Sequence, residues 1–183
     1  MTWLNRLDLE PLMTSTLHLK EGIDIGKGPF GRRVVFQVDN GSFSFVNNGP
    51  FSGVSGTVLP GSSDCALYGT DNETLQVDVR ALLETTQPEG VRLLVQYTNW
   101  VRLSPNTIER IERGEQSIDF EQSHFITQPR FEVLEPEEPR LDRRFDFQRL
   151  SWTPLVAHGA LFRREIRYRI YEVVNRYAPS STP

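Results

Sequence analysis

The chain has 183 residues, with 20 Lys and Arg against 24 Asp and Glu and a net charge of −4. That balance is too mild to imply nucleic acid or an anionic membrane as a partner. A single cysteine, Cys65, excludes an intrachain disulfide and a cysteine-based metal site.

With 13 Gly, 12 Pro and 10% aromatic residues, the composition suits one all-β domain over 1–183 with many turns. A chain of this length buries roughly two-thirds of its unfolded surface. His18, His124 and His158 have no metal-ligand spacing, so neither metal nor cofactor is expected. No signal-like or membrane-spanning stretch is read, and the expected location is cytoplasmic.

Residues 1–8 read as a loose end. Leu12 to Leu19 alternates and predicts the first strand. The glycine-rich run Gly26 to Gly31 lacks the Lys-Ser/Thr ending of a phosphate loop and reads as a turn. Arg33 to Val38 predicts a strand, and Asn40-Gly41 a hairpin into Phe43-Ser44-Phe45. Gly53 to Leu59 leads to Pro60-Gly61, suited to the centre of a type II turn because Pro fixes φ and Gly accepts φ > 0.

Asp64 comes just after that turn and is placed at a strand end, where a barrel opens. In the next run Leu75, Val77, Val79, Ala81 and Leu83 share one face, and Gln76, Asp78 and Arg80 the other. Val91 to Leu103 is a long strand with Val91, Leu93, Val95, Tyr97, Asn99 and Val101 on one side and Trp100 on the opposite one. Ser104 to Gly114 is the best helix, N-capped by Ser104 with Pro105 in its first turn. Its charged character predicts a solvated flap.

Glu115 to Gln128 reads as irregular and Pro129 to Leu134 as a strand. Glu135 to Pro139 reads as an acidic loop beside Arg140, Arg143 and Arg144. Leu155 to Leu161 and Arg164 to Val174 are the closing strands, with Tyr168 and Glu172 on the mostly apolar face of the last. Residues 178–183 read as a loose tail. The expected fold is a single antiparallel β-barrel, calycin- or lipocalin-like, of roughly eight to ten strands with one short external helix.

Four segments in a fixed order carry a family resemblance: Gly56 to Asp64, Val77-Asp78-Val79-Arg80, Pro129-Arg130-Phe131-Glu132 and Tyr168-Arg169-Ile170-Tyr171-Glu172-Val173. With them the chain resembles the domain-of-unknown-function family 3237 of small β-barrels, over nearly its whole length. The resemblance implies the fold more strongly than a function. Relatives usually carry Asn where this chain has Ser151, and Trp where it has Cys65, which implies an altered site and more space beside Asp64.

Three groups are the catalytic candidates. A partly desolvated Asp64 can act as general acid or base, or is an Asx-turn residue hydrogen-bonded to its own backbone. Arg80, two residues from Asp78, can hold an oxyanion if its face lines the lumen, and is otherwise an exterior ion pair with Asp78. His158 can transfer protons near neutrality, or is a core histidine bonded to a backbone carbonyl. Tyr68, Asp78, Tyr97, Trp100, Phe131, Ser151, Tyr168 and Glu172 are candidate substrate contacts.

The leading function is a cofactor-independent cyclase or isomerase acting on a hydrophobic biosynthetic intermediate. Ring closure would be pericyclic or by conjugate addition, under acid–base and conformational control. The alternatives are a lipocalin-like carrier or sensor of a hydrophobic ligand, and a scaffold that homodimerises through an exposed sheet edge. The expected partner is a hydrophobic small molecule, with no nucleic acid and no membrane.

Overall fold

A computed structural model describes residues 7–71, 73–102, 107–113, 117–121, 125–134, 145–162 and 164–175. The acidic loop, its arginines and the C-terminal tail lie outside the described residues. So do Ser104, Pro105 and Gly114, at the ends of the expected helix, and residues 1–6 of the expected loose end.

The described residues form a twelve-stranded antiparallel barrel sheet. Its long strands are β1 (Leu7–Leu19), β3 (Gly31–Phe45), β6 (Thr74–Gln87), β7 (Glu89–Arg102), β11 (Leu155–Phe162) and β12 (Glu165–Asn175). Shorter ones are β2 (Ile23–Gly28), β4 (Ser55–Val58), β5 (Ser63–Tyr68), β8 (Ser117–Ile118), β9 (Ile126–Thr127) and β10 (Arg130–Leu134). The helix is α1 (Thr107–Glu112). No helix of the described residues is long and apolar enough to cross a membrane.

Strands exceed the expected eight to ten because two stretches that look irregular by period still pair. Both β8 and β9, inside the run 115–128, bond to β11. At two residues each, they are too short for alternation to show. Leu7 and Asp8, expected loose, pair with Asn175 and Val174.

The expected hairpin at Asn40-Gly41 does not form: β3 runs straight through it. A β-carbon on Gly41 would meet Thr16 O at 2.5 Å and Val58 Cγ2 at 2.7 Å. This glycine therefore serves close backbone approach in a continuous strand rather than a reversal. The Pro60-Gly61 turn likewise does not reverse the chain. Both β4 and β5 lie between β3 and β6, so they form one strand interrupted at Leu59–Ser62.

Ser62 closes that interruption. Its hydroxyl donates to Leu59 O and accepts from Leu82 N, each at 2.8 Å, and its carbonyl accepts from Val38 N at 3.0 Å. Gly61 takes φ +96°, where only glycine is at ease.

The barrel closes through one segment. Thr127 of β9 pairs with Ala157 of β11, and a few residues on Arg130 to Leu134 of β10 pair with β7. Asn99 Nδ2 donates to Ile126 O at 2.6 Å across the join. Inward residues obey the two-residue period: Val77, Val79, Ala81 and Leu83 from β6, and Val91, Leu93, Val95, Tyr97 and Val101 from β7, are all buried. One end is plugged by a 3₁₀ turn over Phe147–Ser151. There Phe147 stacks on Phe51 at 5.4 Å, and Phe51 packs at a tilt against Phe45 at 4.9 Å.

Candidate active site

Asp64 sits in β5 opposite Val79, and Val79 is opposite Tyr97. Directly opposed residues of a sheet share a face, so Asp64, Val79 and Tyr97 form a row on the inner wall. Asp64 is 6% exposed, buried in the wall and not at the mouth of the barrel as the sequence suggested. The cause is the pairing of β5 with β3 on one side and β6 on the other.

Tyr168 reaches the same place from the far wall. It lies opposite Ser15 on one side and Gly159 on the other. Its hydroxyl is hydrogen-bonded to that of Tyr97, and the two rings meet edge to face with centroids 5.8 Å apart. Phe125 packs against the other side of Tyr168, in space that a side chain on Gly159 would occupy.

Burial sets the electrostatics. Asp64 is pushed up to about 7, first by loss of water, with the nearby Asp78 charge adding to the rise and the Asp78 backbone N–H opposing it. The β5–β6 ladder is open between the pairs Asp64–Val79 and Leu67–Gln76, and in that gap the Asp78 N–H serves the carboxyl. The other oxygen, Oδ1, has no hydrogen-bond partner.

Both tyrosines are raised well above their ordinary value by burial, with the Asp64 charge as a further cause, and stay protonated. One hydrogen bond between two hydroxyls consumes one proton. The second proton is left to serve another oxygen.

Beside this centre lies a cavity of about 30 Å³, lined by Met13, Ser15, Val79, Tyr97, Phe131 and Tyr168 among others. That is room for about two waters. Ligand pockets for drug-sized molecules run to roughly 300–1,000 Å³, so this cavity is far smaller than such a pocket.

Of the expected site residues, the structure brings together Asp64, Tyr97, Tyr168 and Phe131, the last 2% exposed. Arg80 is not with them, and the expected shared pocket with Asp64 is absent. Arg80 points outward with its side chain 69% exposed, 4.0 Å from Asp78, itself 46% exposed. A guanidinium cannot shed its charge, and burying it unpaired in this narrow apolar lumen is prohibitive.

His158 faces outward on β11, edge-on to Phe120 at 5.4 Å, while its neighbour Ala157 lines the cavity. It is neither a core histidine nor part of the centre. Trp100 is 59% exposed on the outer wall. Tyr68 carries the Arg32 guanidinium over its ring at 5.6 Å. Ser151 ends the 3₁₀ turn, and Glu172 is held by Arg149 at 2.6 Å beside that turn. None of these lines the cavity. Among the described residues there is no group of three His, Cys, Asp or Glu that could hold a metal ion.

Fold and centre define a class: a closed antiparallel barrel with one buried carboxyl beside a paired-tyrosine donor. The chain belongs to the family described as "Protein of unknown function (DUF3237)", whose model matches residues 7–173.

Solved structures share the fold. A conserved protein of unknown function from Rhodopseudomonas palustris superposes with TM-score 0.76 at 20% identity, covering 92% of this chain and 99% of its own. A beta-barrel like protein from Acinetobacter baumannii AYE gives 0.67 at 20% identity, covering 92% and 97%. An enzyme from Penicillium herquei gives 0.61 at 12% identity, covering 95% and 99%. No curated protein matches the chain.

Proposed function

We propose that the barrel is a cofactor-independent enzyme that moves protons on a small, largely apolar carbonyl compound, as an isomerase or cyclase. The observation that carries this reading is the buried Asp64 carboxyl, with one oxygen unpartnered, beside the Tyr97–Tyr168 hydroxyl pair. With its value near 7, Asp64 is present in both forms at neutral pH, the condition under which one group can take a proton and return it.

As carboxylate it removes a proton from the carbon beside the carbonyl, or from a hydroxyl that attacks a conjugated double bond. The free tyrosine proton stabilises the negative charge that gathers on the carbonyl oxygen. Asp64 then returns the proton to a different carbon, which completes either an isomerisation or a ring closure. The structural neighbour called an enzyme supports catalysis on this fold.

The small size of this cavity favours a second reading, a non-catalytic scaffold with a packed interior. A carrier of a hydrophobic ligand is separated from both by binding without turnover. Solvent-deuterium exchange into the α-carbon of cyclohexanone, monitored by NMR, tests the choice. The enzyme reading expects faster exchange with the wild-type protein, a loss of roughly 10²-fold in Asp64→Asn, and an unchanged rate in the exterior variant Arg80→Gln. No acceleration by the wild type, or full activity in Asp64→Asn, ends it.

A further inference from the structure

Strand β1 turns Met13, Ser15 and Leu17 to the same side, and all three line the cavity of about 30 Å³. Ser15 lies directly opposite Tyr168 on β12 and Phe43 on β3, both buried, so its side chain points inward with theirs. Among the described residues, the side chains lining this cavity are apolar except for Ser15, Tyr97 and Tyr168. A larger apolar residue at position 15 would fill the void and bury more surface, as Met13 and Leu17 do on either side. Serine forgoes that gain and puts a hydroxyl in the wall.

That hydroxyl is only partly committed. It donates to Ser42 O at 3.3 Å, longer than the roughly 2.7–2.8 Å usual for a hydroxyl. Its proton is thereby spent, while none of the described residues donates to its oxygen. A serine oxygen can accept up to two hydrogen bonds. The Tyr97–Tyr168 pair is the complement, with one proton not used between its two hydroxyls. Ser15 stands beside the backbone of Tyr168, and the paired hydroxyls lie at the far end of that ring. The wall therefore offers an acceptor and a donor about one tyrosine side chain apart.

We infer that Ser15 is a substrate-binding residue that accepts a hydrogen bond from a substrate hydroxyl, so that the favoured substrate is a compact hydroxyketone. This rests on the proton-transfer reading of Asp64 and adds what that reading leaves open, the second functional group of the molecule. The ketone oxygen takes the tyrosine proton, and the hydroxyl donates to Ser15 Oγ. A keto or ether oxygen in the second place has no proton to give, so Ser15 separates a hydroxyl from other oxygens. A site built to bond a substrate hydroxyl discriminates strongly against the analogue lacking it.

The probes are short because the cavity is small: 4-hydroxy-2-butanone, 2-butanone and 4-methoxy-2-butanone, with affinities measured by NMR titration of the protein. The wild type is expected to prefer the hydroxyketone over butanone by about tenfold, the scale of one good hydrogen bond. The methoxyketone is expected to bind no better than butanone. Ser15→Ala is expected to bring the hydroxyketone-to-butanone ratio to about one. Ser15→Cys, a near-isostere whose sulfur accepts weakly, is expected to lose most of the preference as well. The ratio is taken within each protein, so a general loss of affinity does not imitate the effect, and thermal melts show that each variant is folded. Arg80→Gln, on the outer wall, is expected to keep the wild-type ratio.

A wild type that fails to prefer the hydroxyketone, or binds neither ketone, overturns the inference. So does a methoxyketone bound as tightly as the hydroxyketone, or a wild-type ratio kept in both Ser15→Ala and Ser15→Cys. Failure of the underlying reading shows separately, in wild type against Asp64→Asn, as absence of Asp64-dependent deuterium exchange into cyclohexanone. The binding ratio is read without turnover.

Discussion

Asp64 and Arg80 differ in what burial asks of them. A carboxyl enters an apolar lumen by holding its proton, and its rise from 3.8 to about 7 measures that accommodation. A guanidinium has no such exit and stays in water. The stability consequence has a definite sign. The Asp64 value is higher folded than unfolded, so the folded state holds the proton longer and ionisation opposes folding. Below about pH 4 both states are protonated and burial of the group carries no ionisation penalty. As pH rises towards 7 the penalty grows, to at most on the order of 4 kcal/mol, and is constant above that. Asp64→Asn is thus expected to melt with the wild type at pH 4 and clearly above it at pH 8. Thermal melts across that range check it, and a difference that does not change with pH contradicts the buried, proton-holding carboxyl.

At the scale of elements, the joint between β4 and β5 decides the site. Leu59–Ser62 inserts an excursion without reversing direction, and Ser62 stitches it to Leu82 and Val38. Beyond the joint, β5 resumes pairing with β3 shifted by one residue: Ser42 faces Thr57 before it and Phe36 faces Asp64 after it. Against β6 the shift is two residues, from Val58 facing Leu83 to Asp64 facing Val79. A shift of two keeps the faces of a strand, so Asp64 stays on the inner face that Gly56 and Val58 occupy before the joint. The one-residue change falls on β3, whose buried residues pass from Val34 and Val38 to Phe43 and Phe45.

Gly41 plays the matching part on β3, letting β1 and β4 close on it. Gly41→Ala is expected to cost about 1–3 kcal/mol through overpacking, a fall of roughly 2–4 °C in melting temperature per kcal/mol. The clash is with the Thr16 backbone and the Val58 side chain, so neighbouring groups have little room to yield. A melt within error of the wild type would show that β3 bends there.

For the whole molecule the question is how anything reaches a cavity of about 30 Å³. The β6–β7 hairpin is paired from Thr74 to Thr86, whereas the closing join depends on the two residues of β9 and the Asn99 amide. Local opening starts where backbone bonds and buried contacts are fewest. Native-state hydrogen exchange is expected to show the amides of Phe125 to Thr127 and their partners on β11 exchanging well before those of Val77 to Leu83. Equal protection at both places would remove the join as the entry route. Loss of the Asn99 bond in Asn99→Ala is expected to speed exchange at the join selectively.

Alternation in Leu75 to Leu83 and Val91 to Val101 was enough to assign two long strands and the inner face of each, because apolar side chains at period two have only one stable way to be buried. The family segments in their order were enough for the barrel, and the position of Asp64 after Pro60-Gly61 marked it as unusual. Three things depended on tertiary structure. Whether Asp64 stood at a rim or within the wall depended on the strands either side of it, whose facing residues are Phe36 and Val79. The partnership of Tyr97 with Tyr168 joins residues seventy-one apart across the lumen, and no local pattern encodes it. Thr127 lay in a run without periodicity, since two residues of pairing are too few to repeat. It became visible only when the closing segment paired it with Ala157 and buried its side chain.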